Sequence, residues 1–359
     1  MQKLIREIKL EEATDGSLGF QIGHSQNDTA KTGVTVIYFP SGAKVGCDIS
    51  GGGPASRETP LTLPETADNP VNAIVLSGGS AYGLAASDGV MRCLEDNGIG
   101  YNTGCALVPL VCQSCIYDLS YGSAKLRPDA DMGYRACLSA LGSAKAPDVG
   151  NVGAGTGATV GKIGGMRLAQ KSGLGIHSVR LGELTVTAVV VVNALGDIIN
   201  PENGQKIAGL HTPDRKAFED TSSIMYKSLA PKDLFTGNTT IGAVITNAAF
   251  SKAEMNKIAS MAANAYARCI YPVGTMADGD TVYAASAPAV SGSLSAAGAS
   301  NAGNAADSSE RNTAAESDGF VHADINAVGT LAADVMAKAI LKAVSSSQIS
   351  EEEFLASVI

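Results

Sequence analysis

The chain has 359 residues, of which 45% are hydrophobic and 17% charged, with 41 glycines and no tryptophan. This is the composition of a Gly-rich globular α/β protein rather than a disordered one, long enough for one large core or two smaller ones. The formal net charge of −9, without a basic run, argues against nucleic acid or an anionic membrane as partner. No stretch approaches the apolar length of a membrane helix, and MQKLIREIKLEEATDG at the start has no apolar run of signal-peptide length. A cytoplasmic protein is the expectation, and the odd count of seven cysteines fits reduced thiols better than a disulfide framework.

Residues 33–39, GVTVIYF, read as a first strand, followed by a Gly-rich loop, GCDISGGGPASRET, at 46–59. Residues 72–96 read as a buried strand, a Gly-Gly-Ser turn and a helix with small residues on its inner face. Such a turn can seat an oxyanion or carboxylate on backbone N–H groups, or the glycines can simply let the helix pack close. VPLVCQSCIYDL, 108–119, reads as another strand. It carries Cys112 and Cys115, a lone CxxC that is better read as two packed thiols than as a redox or zinc site. The four histidines, His24, His177, His211 and His322, show no metal-binding spacing, and no metal or organic cofactor is expected. A helix is expected from Asp131 to Leu141.

GNVGAGTGATVGKIGG, 150–165, invites a nucleotide-loop reading and fails it. A Walker loop needs Gly where Thr156 stands and Ser or Thr where Ile163 stands, and Gly155, Gly157 and Gly161 miss the dinucleotide spacing by one. The glycines instead suit close backbone approach around a site with Lys162 projecting into it; the plainer alternative is a solvated loop lysine. ELTVTAVVVVN, 183–193, is a buried strand ending in Asn193, whose amide needs partners. A connection and helix follow at 206–229.

GNTTIGAVITNAAF, 237–250, reads as a sharp turn, a strand from Thr239 to Thr246, and a helix capped by Ser251 with Glu254 completing a capping box. That can be an ordinary turn-strand-helix. It can also be a self-cleavage site: the Thr239 hydroxyl attacks the Asn238 carbonyl, and hydrolysis of the ester leaves Thr239 with a free α-amine. That amine has a reference pKa of about 7.7–8.0 and can assist the hydroxyl as a base. Asp278-Gly279-Asp280 puts two carboxylates where both can face one site, though a hairpin turn of the Asp-Gly type is the simpler local reading. Residues 287–317 shift to Ala, Ser, Gly and Asn and read as a mobile surface insert. A last amphipathic helix is expected at 324–344, begun by Asp324.

In this order, LSGGSAYGLAASDGVM, LRPDADMGY, GNVGAGTGATVGKIGG, GNTTIGAVITNA, PVGTMADGDTVYA and NAVGTLAADVMAKAI resemble the L-aminopeptidase/D-esterase family. That family includes β-peptidyl aminopeptidases and nylon-oligomer hydrolases, and the resemblance runs from about residue 12 over nearly the whole chain. It implies a single domain with an αββα four-layer sandwich, similar to N-terminal-nucleophile hydrolases. It further implies one self-cleavage, at Asn238–Thr239, into fragments 1–238 and 239–359, with Thr239 as nucleophile. The same resemblance implies that Asp278 and Asp280 orient and activate Thr239. It implies that Asn193 contacts nucleophile or oxyanion, that Lys162 is an active-site lysine, and that Tyr117, or else the nearby Tyr121, faces substrate. The substrate class implied is a small peptide or amino-acid amide, and the assembly a homo-oligomer, a tetramer of processed units. The chain departs from the family at Cys112 and Cys115 and in the 287–317 insert. The alternatives are acyl transfer of the ornithine acetyltransferase type and an uncleaved, non-catalytic binding protein on the same fold.

Overall fold

The structure, a computed structural model, describes residues 6–7, 19–143, 147–227, 237–289 and 319–359. The principal strands are β1 (Gln21–Asn27), β2 (Thr32–Ile49), β3 (Val71–Ser77), β4 (Val111–Cys115), β5 (Leu174–Leu181), β6 (Leu184–Asn193), β7 (Thr239–Thr246) and β8 (Thr281–Ser286). The principal helices are α1 (Ala86–Asp96), α2 (Ala130–Leu141), α3 (Lys252–Cys269) and α4 (Ile325–Ser345).

Strand β2 belongs to two sheets. Its first half pairs antiparallel with β1 and β3, and its last residues, Lys44–Ile49, pair antiparallel with β8. The register breaks between Tyr38 and Ala43, where Pro40 has no N–H to give a ladder and Gly42 takes a φ of 70°. That interruption bends the strand out of one sheet and into the other. One sheet then runs β5-β6-β7-β8-β2, and the other β1-β2-β3-β4 with Ser56–Arg57 at its edge. Each contains one parallel pair: β7 with β8, and β3 with β4.

Side chains alternate faces along a strand, and here each face finds its own core. Ile37, Phe39, Ile74 and Leu76 of one sheet meet Val189, Val191, Ile241, Ala243 and Ile245 of the other in a core between the sheets. The opposite faces carry Val34, Val36, Ala73 and Val75, which pack on α1 and α2, and Val186, Ala188, Val190 and Val244, which pack on α3 and α4. The layers are therefore helix, sheet, sheet, helix, as the family resemblance implies. Glycine sets how closely α1 and α2 pack: a Cβ on Gly89 would fall 1.6 Å from the Ala130 carbonyl oxygen, and one on Gly133 2.0 Å from that of Ala86. Helix α3 begins with the expected capping box between Ser251 and Glu254.

Some boundaries differ from the sequence reading. The strand expected over 108–119 is confined to Val111–Cys115, because Pro109 lacks a donor and the chain turns away after Cys115. The connection at 206–229 holds a short strand, Lys206–Ala208, and a helix of one to two turns, Thr221–Lys227. Asp278-Gly279-Asp280 is not a hairpin turn; it leads into β8, which runs parallel to β7. The insert reading for 287–317 falls largely outside the described residues, but its flanks meet: the Ala289 N–H donates to the Gly319 carbonyl at 2.8 Å. Among the described residues no helix is long and apolar enough to cross a membrane.

Candidate active site

Because β7 and β8 are parallel, both begin at the same end of the sheet. Ile241 lies opposite Thr281, and the pairing continues backward as a bridge between Asn238 and Asp278. On the other side of β7, Thr239 lies opposite Asn193, the last residue of β6. Sheet pairing alone therefore brings Thr239, Asn193 and the Asp278–Asp280 segment together from distant parts of the chain. Thr239 is 5% exposed, and Asn193, Asp278 and Asp280 are fully buried.

The peptide carbonyl of Asn238 is the focus of this cluster. The Gly279 N–H donates to it at 2.9 Å, and the Thr239 Oγ1 hydroxyl donates to the same oxygen. A Cβ on Gly279 would fall 3.0 Å from Thr239 Oγ1, so the central glycine of the Asp-Gly-Asp run gives its backbone room to approach. The two carboxylates act on the backbone around the hydroxyl. Asp280 accepts from the Thr240 N–H at 2.6 Å and the Gly274 N–H at 3.0 Å. Asp278 accepts from the Thr275 N–H at 2.9 Å and its hydroxyl at 2.6 Å. The Gly51–Gly53 loop, which the sequence marks only as Gly-rich, packs behind them: the Gly53 N–H donates to the Asp278 carbonyl at 2.8 Å, and the Gly51 N–H to that of Asp280 at 3.2 Å.

Lys162 is buried, not solvated. Its ammonium donates to the carbonyls of Asn193 at 2.9 Å and Gly237 at 3.2 Å, tying the end of β6 to the residue before the Asn238–Thr239 junction. The Asn193 side chain accepts from the Thr159 N–H at 3.1 Å and donates through Nδ2 to the Tyr117 carbonyl at 2.9 Å. The Tyr117 ring lies on Gly237, where an added Cβ would fall 2.0 Å from the ring's Cγ. Gly237 itself has a φ of 48°, a conformation that favours glycine. Tyr121 is elsewhere, stacked on Phe354 with ring centroids 5.4 Å apart, so Tyr117 is the tyrosine at the junction.

Burial shifts the ionisable groups toward neutrality. It pushes Lys162 down to about 7, against the opposing charges of Asp278, Asp118 and Asp280. Burial, and then the charge of Asp278, raises Asp280 to about 7, with the Thr240 and Gly274 N–H groups and Lys162 pulling the other way. Two groups shifted to about 7 thus share one buried cluster.

Two further acidic and basic residues were not legible as site neighbours. Asp118 is buried, accepts from the Gly79 N–H at 2.7 Å and the Thr32 hydroxyl at 2.6 Å, and is raised to about 6 by burial. The Gly-Gly-Ser turn does seat a carboxylate, and the carboxylate is the chain's own. Lys171 is buried with its ammonium on the carbonyls of Gly155, Ala158 and Ser172, stapling the Gly-rich stretch that precedes Lys162. A sequence signal for Asp118 existed in that turn's free donors; for Lys171 there was none.

Cys112 and Cys115 lie three apart on a strand, on opposite faces: Cys112 in the core between the sheets, Cys115 against Ser77 at 3.0 Å. They cannot pair with each other, and burial pushes both thiols up to about 12. Among the described residues no group of three His, Cys, Asp or Glu side chains is arranged to hold a metal ion.

The helix-sheet-sheet-helix fold is of the Ntn-hydrolase type. The structure superimposes on a β-aminopeptidase from Burkholderia with a TM-score of 0.60 at 18% identity, covering 94% of this chain and 91% of that one. It superimposes on the L-aminopeptidase D-Ala-esterase/amidase of Ochrobactrum anthropi, a variant of the Ntn hydrolase fold, with a TM-score of 0.58 at 15% identity and the same coverages. In sequence, residues 14–352 match peptidase family S58, and the chain belongs to that family. Relatives include an uncharacterized aminopeptidase of Mycobacterium tuberculosis, 37% identical over 92% of each chain, and a 6-aminohexanoate-oligomer endohydrolase of Kocuria, 34% identical over 74% of this chain and 72% of the other. The protein is accordingly an enzyme of the aminopeptidase and amidohydrolase class.

Proposed function

We propose that this chain is a self-processing amide hydrolase that cuts its own Asn238–Thr239 bond and then uses Thr239 as an N-terminal nucleophile. The observation that carries the reading is the convergence of the Thr239 hydroxyl and the Gly279 N–H on the Asn238 carbonyl. Attack of Oγ1 on that carbonyl carbon puts negative charge on an oxygen that already has a backbone donor. A single such donor is typically worth ~2.7–4 kcal/mol in a transition state. Collapse breaks the C–N bond and expels the Thr239 nitrogen, which takes up a proton and leaves an ester between Asn238 and Thr239. Water then hydrolyses the ester to an Asn238 carboxylate and a free Thr239 amine. Lys162 and Asp280, both shifted to about 7, are the buried groups suited to take and return the proton.

In the mature enzyme the Thr239 amine, with Asp278 and Asp280, manages the proton while Oγ1 attacks a substrate amide and forms an acyl-enzyme. Asn193 and backbone N–H groups stabilise the oxyanion, Tyr117 faces substrate, and water releases the acid. The relatives' names support a small peptide, amino-acid amide or ω-amino-acid oligomer as substrate. The fragments 1–238 and 239–359 stay associated, because the β7–β8 pair of the second fragment lies between β6 and β2 of the first within one sheet. Intact-mass measurement tests the reading. Wild type should give two masses corresponding to cleavage before Thr239, while Thr239→Ala should remain one chain and lack amidase activity. A wild-type protein that stays whole yet hydrolyses amides would refute it.

A further inference from the structure

We propose that Asp118 is a positioning residue for the junction: its carboxylate bolts down the segment that carries Tyr117, and Tyr117 holds both Asn193 and Gly237 in register. The inference rests on the self-cleavage reading and adds to it a residue that takes no part in the bond-breaking steps.

The geometry runs in one direction. Strand β4 ends at Cys115, and the Ile116 N–H still donates to the Ser77 carbonyl of β3, at 2.8 Å. Beyond that point the chain leaves the ladder, and residues 117–118 need another anchor. Asp118 supplies it, with Oδ1 on the Gly79 N–H at 2.7 Å and Oδ2 on the Thr32 hydroxyl at 2.6 Å. Two glycines leave the space for it: a Cβ on Gly78 would fall 2.0 Å from Asp118 Oδ2, and one on Gly157 2.6 Å from Asp118 Cβ. Gly157 lies in the same Gly-rich stretch as Lys162, so the carboxylate is clamped between the Gly78–Gly79 turn and that stretch.

Tyr117 makes its two contacts from this anchored position. Its carbonyl accepts from Asn193 Nδ2 at 2.9 Å, which leaves Asn193 Oδ1 to accept from the Thr159 N–H at 3.1 Å and fixes the amide's orientation. Its ring covers Gly237, whose carbonyl receives Lys162. Releasing Asp118 therefore loosens the amide beside the nucleophile and the residue before the scissile bond in one step. A buried carboxylate is costly to keep, and here both its oxygens have donors, so the cost is met by fixing one loop in one place.

The test compares Asp118→Ala, Asp118→Asn and Thr32→Val in the full chain, with Ser178→Ala as a control far along the sheet. Processing is followed at pH 8, above the value near 7 at which Lys162 titrates, so that loss of the carboxylate's charge leaves Lys162 neutral as in wild type. Asp118→Ala should slow fragment formation at least tenfold while the protein stays folded by circular dichroism. Asp118→Asn should recover most of that loss, because the amide oxygen accepts from the Gly79 N–H and the Thr32 hydroxyl can reverse its role and accept from Nδ2. Thr32→Val should fall between them, and Ser178→Ala should process like wild type. The second readout is the Asn193 side-chain amide signal in 15N NMR, recorded in a Thr239→Ala background that cannot cleave. Asp118→Ala and Thr32→Val should shift it, and Ser178→Ala should not.

Asp118→Asn as slow as Asp118→Ala, or an Asn193 signal indifferent to both Asp118→Ala and Thr32→Val, would overturn the positioning role. If Asp118→Ala does not fold, Asp118→Asn and Thr32→Val decide by the same criteria. A wild type that does not process refutes the self-cleavage reading alone, because the Asn193 signal reports on Asp118 without any cleavage.

Discussion

Each sheet contains one parallel strand pair, and a buried carboxylate sits at the end of each. At β3 and β4 it is Asp118, beyond the C-terminal ends; at β7 and β8 it is Asp280, just ahead of the N-terminal ends. Both are held by backbone N–H groups, and both are raised above the ordinary carboxylate range by burial, to about 6 and about 7. Their surroundings separate them. Beside Asp280, the Gly279 N–H and the Thr239 hydroxyl turn onto one peptide carbonyl, whereas the donors around Asp118 are spent on holding a loop. A raised carboxylate therefore marks burial, and it is the convergence of hydroxyl and N–H donor on one carbonyl that supports the proposed reacting bond. Lys162 feels both seats, since Asp278, Asp118 and Asp280 all oppose the effect of its burial.

The sharpest way to break this comparison is to neutralise the two seats in turn. Asp278→Asn and Asp280→Asn should each slow processing or turnover at least tenfold, since positioned acid-base groups contribute ~10²–10⁴-fold. Rates of fragment formation check this, and equal effects from Asp280→Asn and Asp118→Asn at pH 8 would erase the distinction between the seats. Gly237→Ala comes next. A left-handed residue with a side chain costs about 1–2 kcal/mol, and the new Cβ would run into the Tyr117 ring. Processing should slow several-fold with the fold retained, as mass spectrometry and circular dichroism would show.

A smaller effect is expected in pH dependence. The processing rate should rise as pH passes upward through about 7, where Lys162 loses its proton. In Asp280→Asn, whatever rate remains should show that rise at lower pH, because the carboxylate's charge favours the protonated lysine. Stability carries the matching signature. Asp280 holds its proton more tightly folded than unfolded, so the stability it contributes is present below 3.8 and is lost as pH rises to about 7. Lys162 acts in the opposite direction, restoring stability as pH rises from about 7 to 10.5. Thermal midpoints of Asp280→Asn should therefore fall less steeply between pH 4 and 7 than those of wild type.

The smallest effect is expected at the other end of β8, where the 287–317 segment departs. Deleting 290–316 should leave self-cleavage intact, because Ala289 and Gly319 already bond to each other and loop closure depends only weakly on length. Loss of folding and cleavage together would show that this segment packs into the core.

Local patterning by itself determined the strands as apolar runs, the capping box at Ser251, and the exclusion of a nucleotide loop at 150–165, because these depend on periodicity and spacing within a few residues. The order of motifs along the chain pointed to the αββα architecture and to Thr239, Asp278 and Asp280. Only the tertiary structure decided that Asp278-Gly279-Asp280 is no hairpin, since a parallel neighbour cannot be read from the turn that precedes it. The same holds for which tyrosine lies on Gly237: Tyr117 does, while Tyr121, four residues on, stacks on Phe354. For Lys162 the local sequence left a solvated loop lysine as the plainer alternative, and the fold buries it against the Asn193 and Gly237 carbonyls. For Asp118 the sequence marked the seat, in the free donors of the Gly-Gly-Ser turn, but not the occupant, because its partners Thr32 and Gly79 belong to other strands and turns. Hydrogen bonds between residues far apart in sequence leave no periodic trace; they exist only once strands from distant parts of the chain have paired and brought their ends together.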